Sequence, residues 1–222
     1  MYLLVTGFYA FLSHLDYLYA ALAAYLCGCF NGALFTSRLF FHDDVRTHGS
    51  GNAGSTNMLR NYGKLPAVAT ILGDMAKVAV AILLVRLLVG NELYAQQPIF
   101  IKSFAGLFCV LGHIFPCFFR FKGGKGVATC GGMVFMIDWR IALILLAVFF
   151  VAVLITKWVS LGSILMAILY PVLMGLFYKS VPITLISVVF AAIVLVAHRE
   201  NIKRILNGTE SKITVGSKNK KE

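Results

Sequence analysis

Carboxylates are scarce in this 222-residue chain: nine Asp and Glu stand against twenty Lys and Arg, and 13% of positions are charged. So few acidic groups exclude a multi-carboxylate metal array, such as that of the metal-dependent CDP-alcohol transferases. No Gly-x-Ser-x-Gly nucleophile elbow occurs. A His-x4-Asp dyad is missing too, since the residues five after His14, His42, His48, His113 and His198 are Tyr19, Thr47, Ala53, Phe118 and Lys203. The five cysteines (Cys27, Cys29, Cys109, Cys117, Cys130) lie within or at the ends of apolar runs and imply no disulfide framework. Cys27-x-Cys29 would set two thiols about 200° apart on a helix, an arrangement that suits packing better than metal binding. Residues 1–15 are apolar but lack a basic leader, so they read as an extra-membrane or interfacial extension and not as a cleaved signal peptide. Nucleic-acid-binding motifs are absent. The net charge of +11 sits mostly beside apolar runs, where anionic lipid headgroups and phosphorylated substrates are its natural partners.

What is abundant is apolar length. Hydrophobic residues make up 59% of the chain, against about 45–50% in soluble domains. They fall in runs of roughly 17–22 residues, enough to cross a ~30 Å hydrocarbon core as helix. The pattern predicts an all-α polytopic membrane protein with about seven transmembrane helices, near 17–40, 65–89, 98–118, 126–138, 140–156, 159–178 and 182–198. The fourth is too short to cross alone unless it extends back through the glycine loop before it. Lys and Arg near the span ends set the orientation. With the N-terminus outside, fifteen cations fall at inner breaks and four (Arg86, Lys102, Arg140, Lys179) at outer ends, while Lys77 lies inside the second span. The C-terminus is then cytoplasmic. The expected layout is an extension over 1–16, one transmembrane domain over 17–210 and a basic cytoplasmic tail over 211–222.

Three segments carry chemistry, and all fall on the inner face under this topology. The first runs from His48 to Arg60. Gly49, Gly51 and Gly54 give backbone freedom, Ser50, Asn52, Ser55, Thr56 and Asn57 supply short polar groups, and Arg60 adds a fork suited to phosphate. In the second, Arg120, Lys122 and Lys125 are interleaved with Gly123, Gly124 and Gly126, after Gly112-His113-Ile114-Phe115-Pro116. Glycines let backbone N–H groups approach an anion, lysine supplies counter-charge, and the next helix offers its positive end. It is not a nucleotide P-loop, because no Ser or Thr directly follows Lys125 and no strand precedes it. In the third, His198 and Asn201 are i,i+3 and share a helix face, followed by Lys203, Arg204 and Glu210. Asp74 and Lys77 form another i,i+3 pair inside the second span, where ionisable residues serve pairing or function. Ser160 and Ser163 add hydroxyls between the fifth and sixth spans.

From about Tyr17 to Glu210 the chain resembles the bacterial acyl-phosphate:glycerol-3-phosphate acyltransferase family. Ser50-Gly51-Asn52, Gly54, Thr56-Asn57 and Arg60 match its first motif. Gly112-His113, Phe115-Pro116 and Phe121-to-Thr129 match the second; His198-Arg199, Asn201-Ile202, Arg204, Gly208 and Glu210 match the third. The missing His-x4-Asp dyad is that of the common glycerolipid acyltransferases, so this is a different solution. The resemblance implies seven transmembrane helices in the bacterial cell membrane and an active site open to the cytoplasm. It implies no metal or nucleotide cofactor, and an acyl-phosphate donor made by a separate synthase as a partner. Carried onto this chain, Ser50, Arg60, Lys125, His198 and Asn201 are catalytic. Asn52, Thr56, Asn57, His113, Gly123, Gly124, Gly126 and Ser163 bind substrate, and Glu210 holds the third motif in shape. Departures fall at Ala53, Ser55, Val78 and Gly28-Cys29-Phe30-Asn31, positions of packing and backbone shape.

The chemistry so implied is acyl transfer from a mixed anhydride to the 1-hydroxyl of glycerol 3-phosphate, giving lysophosphatidic acid and phosphate. Holding two phosphate-bearing substrates together accounts for several cations and glycine turns. Direct attack without an acyl-enzyme is expected; the proton goes to His198 or to a substrate phosphate oxygen, the second being favoured because no residue in the sequence pattern orients His198 as a base. Two rival readings stay open. One is a membrane carrier or binder of an organic phosphate, which would show paired inverted repeats or broken midplane helices, with its ligand contacts at midplane. The other is an acyltransferase using acyl-CoA or acyl-carrier protein.

Overall fold

The computed structural model describes the backbone of residues 2–213 and the side chains of residues 15–213; the expected basic tail lies outside these residues from position 214. Two compact units make up the chain, Met1–Trp139 and Arg140–Glu222. Among the described residues the regular structure is helical.

The first unit contains α1 (Tyr2–Cys29), α2 (Gly32–Phe41), α3 (Ser55–Tyr62), α4 (Lys64–Val89), α5 (Asn91–Gln96), α6 (Pro98–Ile114) and α7 (Val127–Ile137). Helix α1 begins at Tyr2 and runs without a break through the boundary expected near residue 16. It packs chiefly on α6 and α4, and α4 also meets α2, α3, α6 and α7. Small residues allow these approaches: a Cβ on Gly28 would overlap the Cys109 carbonyl, and one on Gly112 the Tyr25 carbonyl.

The first apolar run is not one straight helix. It ends at Cys29 and restarts at Gly32. Asn31 takes an extended conformation and caps α2, its side-chain oxygen accepting the Leu34 N–H at 2.9 Å. An Asn with its own local hydrogen bond competes with helix, and here it wins inside an apolar stretch.

The second unit contains α8 (Trp139–Thr156, whose first residue closes the first unit), α9 (Val159–Tyr178), α10 (Val181–Ala197) and α11 (Arg199–Leu206). Helices α9 and α10 pack together and α11 rests on both. Each of the seven helices expected from the apolar runs is present, the first as the broken α1–α2 pair. Among the described residues five stretches are long and apolar enough to cross a membrane: Leu15–Phe41, Lys64–Val89, Pro98–Phe119, Trp139–Thr156 and Val159–Tyr178. A sixth is added if α10 and α11, bent by 62°, form one span. Helix α7, with 11 residues, is short, as the sequence predicts.

Candidate active site

The first two motif-bearing segments meet within the first unit. After α2, Asp44 caps a short turn over Val45–Thr47, and its carboxylate binds the Arg46 guanidinium at 2.7 Å. The hydrogen bond from Arg46, assisted by Arg38, holds the Asp44 carboxyl well below the usual carboxylate range. Arg46 then reaches across the chain, donating to the Lys122 carbonyl at 3.1 Å and the Phe119 carbonyl at 3.4 Å. The sequence pattern gave Arg46 no role; its partners are backbone oxygens some seventy residues away.

Asn57 organises the Ser50 loop. Its amide nitrogen donates to the carbonyls of Val45 and His48, and its oxygen accepts the Ser50 and Asn61 N–H groups. The residue is buried at 1% exposure. Asn57, expected as a substrate ligand, thus also holds the Ser50 loop through its own hydrogen bonds. Ser50 and Arg60 are exposed, Asn52 and Thr56 half-buried. Ala53 is fully buried against Leu34, Val45 and Met58, and its carbonyl accepts from the Asn31 amide at 3.1 Å. The helix break and the Ser50 loop are therefore tied together.

The glycine loop lies flush on the end of α6. The Gly123 N–H donates to the Ile114 carbonyl at 3.1 Å and the Gly124 N–H to the His113 carbonyl at 3.2 Å. These two amides, expected to face an anion, are thus spent on backbone. The glycines answer a steric demand: a Cβ on Gly123 would overlap the His113 carbonyl, and one on Gly124 would meet His113 Nε2 and stand 2.5 Å from the Ala53 oxygen. Gly126 needs its left-handed φ of 79° to turn into α7, which starts without a side-chain cap. The first-turn amides of α7 thus start without a side-chain acceptor, beside half-buried Lys125.

His113 is 2% exposed and joins the loop to the intramembrane pair. Its Nδ1 lies 2.6 Å from Lys77 Nζ, which also binds Asp74 Oδ1 at 2.9 Å and the Phe30 carbonyl at 2.7 Å.

The third segment organises the second unit. Glu210 Oε1 accepts from Ser160 Oγ at 2.6 Å and Asn201 Nδ2 at 2.7 Å, and Oε2 from Arg204 Nε at 2.8 Å. Burial pushes the Glu210 carboxyl up, yet these three donors together hold it below its ordinary value. His198 caps α10 at 1% exposure, its Nδ1 lying 2.8 Å from the Val194 carbonyl. A backbone oxygen thus orients this ring, a partner that the residue pattern does not display. Ser163 is buried and donates to the Val159 carbonyl at 3.0 Å, while Ser160 is committed to Glu210.

Residues 18–208 match the model of a family described as glycerol-3-phosphate acyltransferase. Relatives bearing that name include one from Thermoanaerobacter sp. (strain X514), 39% identical over 87% of this chain and 93% of the relative. Another, from Finegoldia magna, is 40% identical over 90% and 98%. A crystal structure of PlsY, an integral membrane glycerol 3-phosphate acyltransferase in its glycerol 3-phosphate form, matches with a TM-score of 0.77 at 33% identity, covering 89% of this chain and 96% of that one. Its lysophosphatidic acid form matches with a TM-score of 0.75 at 32% identity. With its multiple apolar helices, this chain is a multi-pass membrane protein that belongs to the glycerol-3-phosphate acyltransferase family.

Proposed function

We propose that the protein acylates the 1-hydroxyl of glycerol 3-phosphate with acyl-phosphate as donor, at the cytoplasmic face of the bacterial cell membrane, N-terminus outside and C-terminus inside. The observation that carries this reading is the joining of two loops in one unit. Arg46 and the Ala53 carbonyl bring the Ser50–Arg60 segment against the Gly123–Gly126 loop. Two loops bearing Arg60, Lys125 and a bare helix N-terminus suit two phosphate groups. The groove of about 380 Å³ lined by Phe30, Leu34, Phe35, Leu39 and Phe119, with Arg38 at its edge, suits an acyl chain.

Lys125 and the first turn of α7 bind the glycerol phosphate, Arg60 neutralises the donor phosphate, and Ser50 orients it with Asn52 and Thr56. Within the second unit, Glu210 keeps Asn201 in place. The hydroxyl attacks the acyl carbon, the C–O bond to phosphate breaks, and inorganic phosphate leaves. The hydroxyl proton passes to a phosphate oxygen of the donor, because the His198 ring is almost completely covered. An acyl-phosphate synthase is the expected supplier of the donor.

The test is purified protein in detergent with radiolabelled glycerol 3-phosphate, offered palmitoyl phosphate or palmitoyl-CoA. Labelled lysophosphatidic acid from palmitoyl phosphate alone is the expected result. Product only from the thioester would overturn the donor, and no lipid product from either would overturn the reaction. For the proton, His198→Gln should keep kcat within about threefold; a loss of about a hundredfold or more would make His198 the base.

A further inference from the structure

The Asp74–Lys77 pair sits where the first apolar run is broken. Lys77 Nζ reaches the carbonyls of Phe30 at 2.7 Å and Gly28 at 3.4 Å, while Asp74 Oδ1 accepts the Gly32 N–H at 3.1 Å. The cation therefore meets the end of α1 and the anion meets the start of α2, each matched to the partial charge of that terminus. Both residues are at or below 5% exposure. This accounts for an ion pair in the membrane as a repair to a helix break, but it leaves one contact over.

That contact is His113 Nδ1, 2.6 Å from Lys77 Nζ, whereas Asp74 Oδ1 stands 3.5 Å away, beyond ordinary hydrogen-bond length. An ammonium donates three protons and has no lone pair, so Nδ1 accepts and the neutral ring carries its proton on Nε2. Nε2 faces the anion loop, since a Cβ added to Gly124 would overlap it. The His113 carbonyl at the same time holds the Gly124 N–H.

We propose that Asp74 and Lys77 are positioning residues for the transfer reaction: they fix His113 as a neutral ring with an Nε2–H donor directed at the Gly123–Gly126 loop. The inference rests on the reading of that loop as the glycerol 3-phosphate site. A pair that only staples the helix break would leave the affinity of the folded enzyme unchanged.

Two measurements decide it. Nitrogen NMR of the histidine-labelled protein, with the His113 signal assigned by its loss in His113→Gln, should show the neutral Nε2–H tautomer. In Lys77→Met, or in Lys77→Gln if the first folds poorly, that fixed tautomer should be lost. An Nδ1–H or charged ring in the unsubstituted protein overturns the proposal, and this readout stands even if neither acyl donor is used. In kinetics, Lys77→Met and His113→Ala should each raise KM for glycerol 3-phosphate about tenfold with kcat changed less than about threefold, and the double variant should be no worse than the worse single. Independent, multiplying effects on KM would show that Lys77 does not act through His113. His113→Gln, whose amide nitrogen reaches the Nε2 position, should restore KM where His113→Asn does not; equal failure of both would also overturn it.

Discussion

Each unit is organised around one carboxylate, and the two are used differently. Asp74 in the first unit lies at membrane depth and shares its oxygen between Lys77 and a backbone N–H. Glu210 in the second lies beyond α11 and gathers three side chains, from α9 and α11. The first repairs main chain, whereas the second assembles a polar cluster. Desolvation explains the difference. At depth an unsatisfied carbonyl or amide has no water to turn to, so charge is spent on the backbone. Near the membrane surface the backbone has alternatives, and charge is free to arrange side chains.

The comparison breaks most sharply if one partner of the buried pair is removed. Lys77→Leu leaves Asp74 uncompensated and should cost about 3–5 kcal/mol, while Asp74→Leu/Lys77→Leu should cost less than either single change. Reversible unfolding in detergent, read by circular dichroism, checks this order. Glu210→Ala should cost about 1.5–3 kcal/mol, through lost hydrogen bonds to a charged acceptor. The loss should appear as faster amide exchange over 199–213 with residues 64–89 unaffected.

Acid sharpens the contrast further. Because the folded Glu210 lies below its ordinary value of 4.5, its stabilisation is complete above that pH and is lost as pH falls through the folded value. Exchange over 199–213 should therefore rise below about pH 4.5 in the native protein and be insensitive to acid in Glu210→Gln. The smallest effect is expected at the cap of α2: Asn31→Ala should cost about 1 kcal/mol, with KM for glycerol 3-phosphate rising as the Ala53 tether is lost.

Apolar run length made the helices legible, because a spanning helix needs little but length and hydrophobicity. The break at Phe30–Asn31 was not, since one Asn within a long apolar run reads as a tolerated polar residue until its cap and its Ala53 partner are seen. Asp74 and Lys77 were visible as neighbours by spacing, but Gly28, Phe30 and His113 come from α1, the break after it and α6, and local spacing carries no information about other elements. The glycine loop was recognised for its residues, but not for how it docks on α6. The Gly123 and Gly124 amides dock the loop on the Ile114 and His113 carbonyls, and carbonyl partners carry no sequence signature. The Val194 contact of His198 and the distant contacts of Arg46 share one reason for being hard to read: they are made to carbonyls, which every residue has and no sequence pattern marks.

The broken first helix also constrains how the protein is made. Emerging from the ribosome alone, α1 and α2 would present the Gly28 and Phe30 carbonyls and the Gly32 amide to lipid with nothing to satisfy them. Helix α4, following alone, would carry an acid and a base paired only with each other, where a lone charge costs about 2.5–3.5 kcal/mol to insert at mid-helix. Each segment supplies what the other lacks, so the two enter the bilayer at lowest cost as a helical hairpin, before either is released to lipid.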